Sequence, residues 1–343
     1  MTLVDVSVIV PVYNMAKNGN LNYCLDSLVN QTLESLEIIA VDDASTDNSL
    51  EIIRQYEAKY PGRVVGVASP ENRRQGGARN LGLKHAQGRY IGFMDADDWA
   101  DPNMYESMLK KALETGANVV GTDLCRVNEH TMVKTKREEC NYEAQTGVTD
   151  DEKRRLLLLD PGPFVTKIYE RSYFEDGFSF CEKMAYEDNA AIAEAIMRYR
   201  HFEMVPESNW YYYQNPESTT HSISKKSCED RMAAMRYMLK TARENGAYDR
   251  FKDEIEYKFT NLFYQATLLS YMLSTLKKEY GFIDALGKEM KEAFPEFEKN
   301  KYYMERTNAE EKKLMHLQQR STGLFLIYFL LKRTYRKIRY GRW

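Results

Sequence analysis

Short β-branched apolar runs alternate with segments of helical spacing over the first 120 residues, and this alternation limits the possible folds most strongly. The predicted strands cover residues 6–12, 36–41, 63–68 and 90–94. The predicted helices between them cover residues 21–30, 48–60 and 77–86. Strands that alternate with helices at this spacing form βαβ units. The pattern therefore predicts an α/β fold with a mostly parallel central sheet flanked by helices.

The rest of the chain is predicted to be mainly helical. Helices are expected at residues 104–115 and 184–199, with a short strand at 118–122 and irregular structure between them. After Cys228 the pattern is almost entirely helical, most clearly at 232–243 and 251–276. We therefore expect an α/β domain over residues 1–225 and a C-terminal helical region over residues 226–343.

The charge is distributed unevenly along the chain. The 48 Lys and Arg nearly balance the 51 Asp and Glu, and the net charge of the 343 residues is −3. Residues 320–343 contain seven Lys and Arg and no acid, which leaves −10 for the first 319 residues. The near-neutral total argues against a globally basic nucleic-acid-binding protein, although it combines an acidic body with a basic tail. The hydrophobic fraction of 43% is enough for a buried core.

Several protein classes are disfavoured by missing motifs. The five cysteines are widely spaced without a C-x-x-C pair, which indicates reduced thiols of a cytoplasmic protein. Neither a G-x-G-x-x-G after a strand nor a G-x-x-x-x-G-K-[ST] occurs, which disfavours dehydrogenases and P-loop NTPases. We expect no signal peptide, because the N-terminus lacks a basic region, and no membrane-spanning segment.

The sharpest motif is RYIGFMDADDW at residues 89–99, where a predicted strand is followed by Asp95, Asp97 and Asp98. Carboxylates are suitable ligands for Mg²⁺ or Mn²⁺, and such sites usually complete their coordination with substrate phosphates and water. The D-x-D spacing therefore suits a cation held against a diphosphate. The alternative is a polar turn, in which Asp is also common.

Other polar residues also follow predicted strands. Tyr13 and Asn14 follow the first strand, and Asp42 and Asp43 follow the second. Ligands of open α/β sheets bind outside the carboxyl ends of the strands, so these residues are expected to line one site. N-capping of the next helix, including a capping box from Asn48, explains the later polar residues of this segment but not Asp42.

Paired glycines precede an arginine at the start of the third helical segment. Gly76 and Gly77 would allow close backbone approach, and Arg79 could face an anion. The alternative for Arg79 is an ordinary surface residue.

Taken together, these motifs closely resemble the nucleotide-sugar-binding half of family 2 glycosyltransferases with a GT-A fold. The resemblance runs nearly continuously over residues 5–125. It continues more thinly through KIYER at 167–171, Glu187-Asp188 and the Tyr run at 211–213. Residues 1–125 would therefore form the nucleotide-sugar half, and residues 126–225 the acceptor half.

The resemblance also implies roles for individual residues. The nucleotide would be bound by Pro11, Tyr13, Asn14, Asp42 or Asp43 at the base (most often uracil), Gly77, Arg79, and Asp95 with its neighbour Ala96. The metal ligands would be Asp97, Asp98 and His221. Asp188 would be the catalytic base, supported by Glu187. Asn14 and Ala44 vary from the usual residues, and YQNPESTTH at 213–221 lacks the Arg-rich pattern common in the family.

The chemistry that these residues suit is an inverting transfer. A bound Mn²⁺ or Mg²⁺ would stabilise the leaving diphosphate, and a carboxylate on the opposite face would accept the proton of the acceptor hydroxyl. We therefore expect a metal-dependent hexosyltransferase that moves a sugar from a nucleotide-diphosphate donor, UDP foremost, to a saccharide or lipid-linked acceptor in cell-surface polysaccharide synthesis. The alternatives are a sugar-1-phosphate nucleotidyltransferase and a non-catalytic saccharide-binding or assembly module.

The C-terminal tail has two interpretations. Residues 324–331 are apolar on every face of a helix, and basic and aromatic residues follow. This combination suits an anionic membrane surface and predicts a cytoplasmic protein that is peripheral at the inner face of the cell membrane. The alternative is a helix that packs on the body or on a second subunit, which would form a homodimer through the C-terminal helices.

Overall fold

A computed structural model of the chain describes residues 4–134, 136–214 and 223–340. The chain forms two compact units, residues 1–221 and residues 222–343. The first is built on a single sheet with helices, and the second consists of helices.

The first unit contains ten strands among its described residues. They are β1 Val6–Val12, β2 Leu36–Asp42, β3 Val64–Ala68, β4 Tyr90–Phe93, β5 Trp99–Ala100, β6 Val119–Val127, β7 Arg137–Glu138, β8 Gly147–Val148, β9 Lys167–Glu170 and β10 His201–Tyr213. The α-helices of this unit are α1 Asn20–Val29, α2 Ser49–Lys59, α3 Arg74–His85, α4 Met104–Thr115, α5 Asp151–Leu159 and α6 Glu187–Met197.

The sheet has the order β3-β2-β1-β4-β9-β6-β10-β5, with β7 beside β6 and β8 beside β10. Strands β3, β2, β1 and β4 are parallel, and β10 is parallel to β6. Strand β9 is antiparallel to both β4 and β6. The α/β prediction is confirmed, and the four predicted N-terminal strands form one parallel part of the sheet. The complete sheet is mixed, although its longest pairings are parallel.

Strand β1 lies inside this sheet and is covered on both faces, which explains its unbroken apolar sequence. On one face Val8 and Val10 share a buried cluster with Leu25 of α1. On the other face Ile9 packs against α3, where a Cβ added to Gly82 would lie 2.4 Å from Ile9 Cγ2. Each such buried side chain contributes about 1.5–3 kcal/mol to folding, so β1 anchors the loop that follows it.

Strand β10 is not predicted by the sequence pattern. It contains Pro206, and its register with β6 shifts between Val205 and Ser208 and again before Trp210. Proline is tolerated in strands at such irregularities. The irregularities also disrupt the alternation of side chains by which a strand is recognised in a sequence.

The second unit is helical, as predicted. Its α-helices are α7 Lys225–Glu244, α8 Ala247–Arg250, α9 Lys252–Phe259, α10 Thr267–Leu273, α11 Tyr280–Ala293, α12 Lys301–Arg306, α13 Ala309–Arg320 and α14 Thr322–Tyr340. The single helix expected at 251–276 is interrupted, because a π-helical segment, Thr260–Ala266, separates α9 from α10. None of the helices described in either unit has the length and apolar character needed to cross a bilayer.

A buried glutamine links three elements of the second unit. Tyr264 Oη in the π-helical segment donates to Gln318 Oε1 at 2.5 Å, and Gln318 Nε2 donates to the Ile283 carbonyl at 3.0 Å. A Cβ on Gly287 would lie 2.2 Å from the Gln318 amide. The glycine therefore makes room on α11 for this side chain of α13.

A buried polar network closes the end of the sheet at which β1, β2 and β4 begin. Ser7 Oγ donates to Glu37 Oε1, which also accepts from the backbone N–H of Gln87 at 2.7 Å. The Gly88 amide donates to Ser7 Oγ at 2.7 Å. A Cβ on Gly88 would lie 2.5 Å from Ser7 N and 2.8 Å from the Val6 carbonyl carbon. Neither atom can move aside, because both belong to the backbone of a central strand.

Gly88→Ala should therefore lower the free energy of unfolding by about 3 kcal/mol, through overpacking and the loss of buried hydrogen bonds. Urea denaturation followed by circular dichroism measures this change. Gly281→Ala is the control, because nothing lies within 4 Å of a Cβ at that position in α11. The control should keep or raise stability. Equal stability of Gly88→Ala and the wild type would contradict the assigned packing.

Candidate active site

The carboxyl ends of β1, β2 and β4 meet along one side of the sheet, which we call the carboxyl edge. The register pairs Val12 with Asp42 and Ile9 with Phe93. The segments that follow, Tyr13-Asn14, Asp42-Asp43 and residues 95–98, are therefore neighbours. The structure brings these three predicted polar segments together, as expected for parallel strands.

Side-chain hydrogen bonds tie the loop after β1 to the loop after β2. The backbone N–H of Asn14 donates to Ser45 Oγ at 3.0 Å, and the side-chain Oδ1 of Asn14 accepts from the backbone N–H of Thr46 at 2.8 Å. Asp47 Oδ2 accepts from the Ala16 amide at 3.0 Å. Asn14 and Ala44 both have positive φ, 53° and 59°. Left-handed backbone is costly for alanine, so the loop keeps this shape against local preference.

The capping box predicted from Asn48 does not form. Asn48 occupies the N-cap position of α2, but its side chain makes no capping hydrogen bond. Instead Asp47 Oδ1 accepts from the Ser49 amide at 2.9 Å. Asp47 therefore both holds the helix start and joins the two loops.

Asp42 and Asp43 are each 2% exposed beneath this loop. Asp42 Oδ2 accepts from the Ser45 amide at 3.2 Å, and Asp43 Oδ1 accepts from the Arg73 amide at 2.8 Å. Within the described residues, no group donates to Asp42 Oδ1 or Asp43 Oδ2. Burial raises the pKa of Asp43, although the Arg73 amide opposes the shift. Buried acceptors are normally satisfied, so these two oxygens are suited to a donor on a ligand.

Tyr13 and Pro11 lie beside these acids. Tyr13 is 46% exposed, although it directly follows a buried strand. Pro11 is half-buried within β1. An exposed aromatic face next to buried acceptors is suited to a flat ring that also carries N–H donors.

Arg79, expected either to bind the nucleotide or to lie on the surface, is instead 2% exposed and is paired within the protein. Its Nη1 lies 2.5 Å from Glu187 Oε1, and its Nη2 lies 3.5 Å from Asp95 Oδ1. The guanidinium carbon lies 5.6 Å and 5.5 Å from the ring centroids of Phe93 and Phe180. Arg79 therefore joins the start of α6 to the carboxyl edge.

The glycine pair before Arg79, of which Gly77 is expected from the sequence to bind the nucleotide, lies inside α3. A Cβ on Gly76 would lie 2.0 Å from the Cys181 carbonyl oxygen. A Cβ on Gly77 would lie 2.2 Å from Arg73 Cβ. The glycines allow close packing within the protein, so we withdraw Gly77 as a nucleotide ligand.

Asp95 and Asp97 are half-buried at the carboxyl edge, on either side of the buried Ala96. Asp95 Oδ1 accepts from Gln75 Nε2 at 2.8 Å. Desolvation raises the pKa of Asp95 to about 6; Arg79 opposes the shift, and the charges of Asp97 and Asp188 add to it. That electrostatic effect of Asp188 indicates that the expected catalytic base lies near the D-x-D motif.

Asp98 points into the protein, which corrects its predicted role as a metal ligand. It is 1% exposed, and both of its oxygens accept hydrogen bonds from the chain. Trp210 Nε1 donates to Oδ2 at 2.9 Å, and the Tyr213 amide donates to Oδ1 at 2.8 Å. Burial raises its pKa well above the ordinary value, and Asp97 adds to the effect. We assign Asp98 to holding the end of β10.

Glu187 and Asp188 begin α6, and their surroundings differ. Glu187 is 4% exposed, and burial raises its pKa to about 7 against the lowering effect of Arg79. Asp188 is half-buried, and its Oδ1 accepts from the backbone amide and the side chain of Asn189 at 2.7 Å and 2.9 Å. The preceding Tyr186 has a φ of 65°, which turns the chain sharply into the helix.

His221 is the third residue that the sequence predicts as a metal ligand. His221 lies outside the described residues. No group of three or more His, Cys, Asp and Glu in the described part of the chain could hold a metal ion. Two carboxylates at an open edge nevertheless fit Mg²⁺ or Mn²⁺, which usually bind through one or two carboxylates together with substrate phosphates.

Several contacts of the site are not predictable from the sequence motifs. Gln75 precedes the glycine pair and gives no signal of contact with Asp95. Phe93 and Phe180, which flank Arg79, read as ordinary core residues. The aromatic residues spaced closely between 164 and 180 could have indicated a cluster, but not that it surrounds a guanidinium.

An α/β sheet with acids at its carboxyl edge is consistent with a glycosyltransferase of GT-A type. The model of the family described as "Glycosyl transferase family 2" matches residues 7–178. The "Uncharacterized glycosyltransferase EpsJ" of Bacillus subtilis is 31% identical over 246 residues, which cover 69% of this chain and 69% of that protein. The chain belongs to glycosyl transferase family 2.

Two further similarities are more distant. The "Poly(ribitol-phosphate) beta-glucosyltransferase" of Bacillus spizizenii is 27% identical over 260 residues, 75% of this chain and 39% of that protein. The matched region covers only 32% and 18% of two other curated relatives. The crystal structure of S. aureus TarS 1-349 with UDP-GlcNAc has a TM-score of 0.69 at 20% identity, covering 98% of this chain and 93% of that one. At this identity the likeness establishes the fold.

The raised pKa of Glu187 predicts a pH dependence of stability. Between its ordinary pKa of 4.5 and the folded value of about 7, the folded chain holds a proton that the unfolded chain releases. The contribution of this group to the free energy of unfolding therefore falls as the pH rises through that range. Glu187→Gln should remove this part of the pH dependence.

Thermal unfolding of the wild type and Glu187→Gln across that pH range tests the prediction. The exposed Glu129→Gln is the control and should follow the wild type. The difference between the two pH profiles reports the titration of Glu187 together with its effect on the neighbouring Asp95. Parallel pH profiles for the wild type and Glu187→Gln would contradict the assignment.

Proposed function

We propose that this glycosyltransferase moves a sugar from a UDP-linked donor to a hydroxyl of a saccharide or lipid-linked saccharide, with inversion at the anomeric carbon. The observation that carries the proposal is the pairing of Arg79 with Glu187. This buried ion pair holds the start of α6, and with it Asp188, near the carboxyl edge.

The donor nucleotide would bind along β1 and β2. Asp42 Oδ1 is buried without a donor from the described residues, so it can accept the N–H of a base. Tyr13 would cover a face of that base, and Pro11 and Asn14 would shape the loop beside it. A carboxylate accepts from a base with a ring N–H, and uracil carries one at N3. The UDP-GlcNAc bound by TarS, which has the same fold, supports a UDP-sugar.

The diphosphate would lie near the D-x-D motif. Asp97 and Asp95 are the residues that would hold Mn²⁺ or Mg²⁺. The bound cation would offset negative charge on the departing diphosphate. Gln75 and Arg79 orient Asp95 through its Oδ1, so the chain holds this carboxylate in place before any ligand arrives.

Asp188 would accept the proton of the acceptor hydroxyl. It is half-buried and can still meet an acceptor, whereas Glu187 is buried and paired. A single base opposite the leaving group implies one displacement, and therefore inversion. Proton transfer to a positioned base is typically worth about 10²–10⁴-fold in rate.

The acceptor is proposed to be a growing cell-surface polymer. The relative described as a poly(ribitol-phosphate) beta-glucosyltransferase, whose match covers 75% of this chain, supports a polymer of the cell wall. Such synthesis would place the enzyme at the cytoplasmic face of the membrane, where lipid-linked intermediates are available.

Replacement of the proposed base tests this function. Asp188→Asn should lower sugar transfer at least about 10²-fold, because the amide cannot accept the proton. UDP binding should remain, because Asp188 is not among the nucleotide ligands. Transfer is measured as UDP release, and binding by isothermal titration calorimetry.

Asp249→Asn, at an exposed position of α8, is the matched control and should retain full activity. Substantial turnover by Asp188→Asn would remove this residue from the role of base. Wild-type protein that binds UDP-sugars without transferring or hydrolysing any of them would instead support a non-catalytic binding module.

A further inference from the structure

Helix α14 has one buried apolar face and one exposed apolar face. Phe325 and Phe329 are 0% and 8% exposed, and α14 packs against α13 and α11 within the second unit. Leu324, Ile327 and Leu331 are 57%, 59% and 67% exposed. The sequence leaves open whether the apolar residues of this helix pack on protein or stay exposed. In the structure one face of the helix packs and another face is exposed.

The exposed residues form a continuous stripe. Leu324, Ile327 and Leu331 are spaced by three and four residues, so they lie on one side of the helix. Tyr335, at 54% exposure, extends the stripe by one turn, and Leu330, at 49%, lies beside it. A contiguous apolar surface on a soluble unit usually marks an interaction site.

The charged residues of α14 itself are all basic. Helix α14 contains no Asp or Glu, and residues 320–343 carry seven Lys and Arg. Lys332 pairs with Glu310 of α13, so part of this charge is balanced within the unit. The excess remains positive and is concentrated beyond the apolar turns, towards the C-terminal end of the helix.

We propose that the exposed stripe of α14 binds an anionic lipid surface, with the helix lying in the plane of the bilayer. The apolar side chains would enter the boundary between headgroups and acyl chains, and the basic residues would contact anionic headgroups. A second copy of the chain is the less suitable partner. Parallel pairing of two such faces would bring two basic segments together, and in antiparallel pairing α14 would offer them no acidic partner, because it contains no Asp or Glu. This proposal does not depend on the sugar or the nucleotide that the enzyme uses.

Vesicle sedimentation with the full-length chain tests the proposal without an activity assay. The protein should pellet with vesicles that contain phosphatidylglycerol and stay in solution with pure phosphatidylcholine. Raising NaCl from about 0.1 M to about 0.5 M should release most of it, because screening weakens the electrostatic part. Failure to pellet with phosphatidylglycerol vesicles at low salt would overturn the proposal.

Two sets of variants separate the apolar and basic contributions. Ile327→Gln with Leu331→Gln should weaken binding at least about tenfold, and Lys337→Gln with Arg339→Gln should weaken it about 30-fold. Leu113→Gln, at a site on α4 with 53% exposure, is the matched control and should bind as the wild type does. Melting temperatures of all variants show whether they remain folded.

If Ile327→Gln with Leu331→Gln binds the vesicles as strongly as the wild type does, the α14 face is not the lipid contact. Sedimentation velocity tests the alternative that a second copy of the chain covers the stripe. A dimer that the Ile327 and Leu331 substitutions dissociate would show that a second copy covers the stripe, and would overturn the proposal. A monomer with unchanged sedimentation in all variants would agree with it.

Discussion

The guanidinium of Arg79 lies between carboxylates that belong to distant parts of the chain. It contacts Glu187 at the start of α6 and Asp95 at the end of β4, and two phenyl rings flank it. Removing one partner of a buried ion pair typically costs about 3–5 kcal/mol, because the remaining charge loses its compensation. The position of α6 relative to the carboxyl edge therefore depends on this contact.

The same contact leaves an excess of negative charge. Four carboxylates lie near one another, because Asp97 and Asp188 raise the pKa of Asp95, and Asp188 and Asp95 raise the pKa of Glu187. Arg79 is the buried cation paired among them. Desolvation and repulsion raise the pKa of Asp95 to about 6. Positive charge from a ligand would relieve this repulsion. The site is thus electrostatically suited to a cation bound with a diphosphate, as the proposed reaction requires.

The N-terminal half of the fold is predictable because its signals are local. The unbroken apolar run of β1 and the helical spacing of α4 can both be recognised in the sequence without knowledge of distant contacts. Strand β10 is not predictable, because Pro206 and its irregular register depend on pairing with β6. The motifs predict which residue types form the site, but they do not predict where each side chain points. Asp98 and Arg79 both point inward because Trp210 and Glu187, more than 100 residues away, provide their partners.

The central claim is that the carboxyl edge binds and activates a nucleotide sugar. It is tested most directly by incubating the purified chain with a panel of nucleotide sugars, with and without Mn²⁺, and measuring nucleotide release together with thermal stabilisation. We predict that UDP-sugars stabilise the protein, that Mn²⁺ strengthens this effect, and that at least one of them is hydrolysed to UDP. No stabilisation and no release with any nucleoside diphosphate or its sugar, with or without Mn²⁺, would contradict the account.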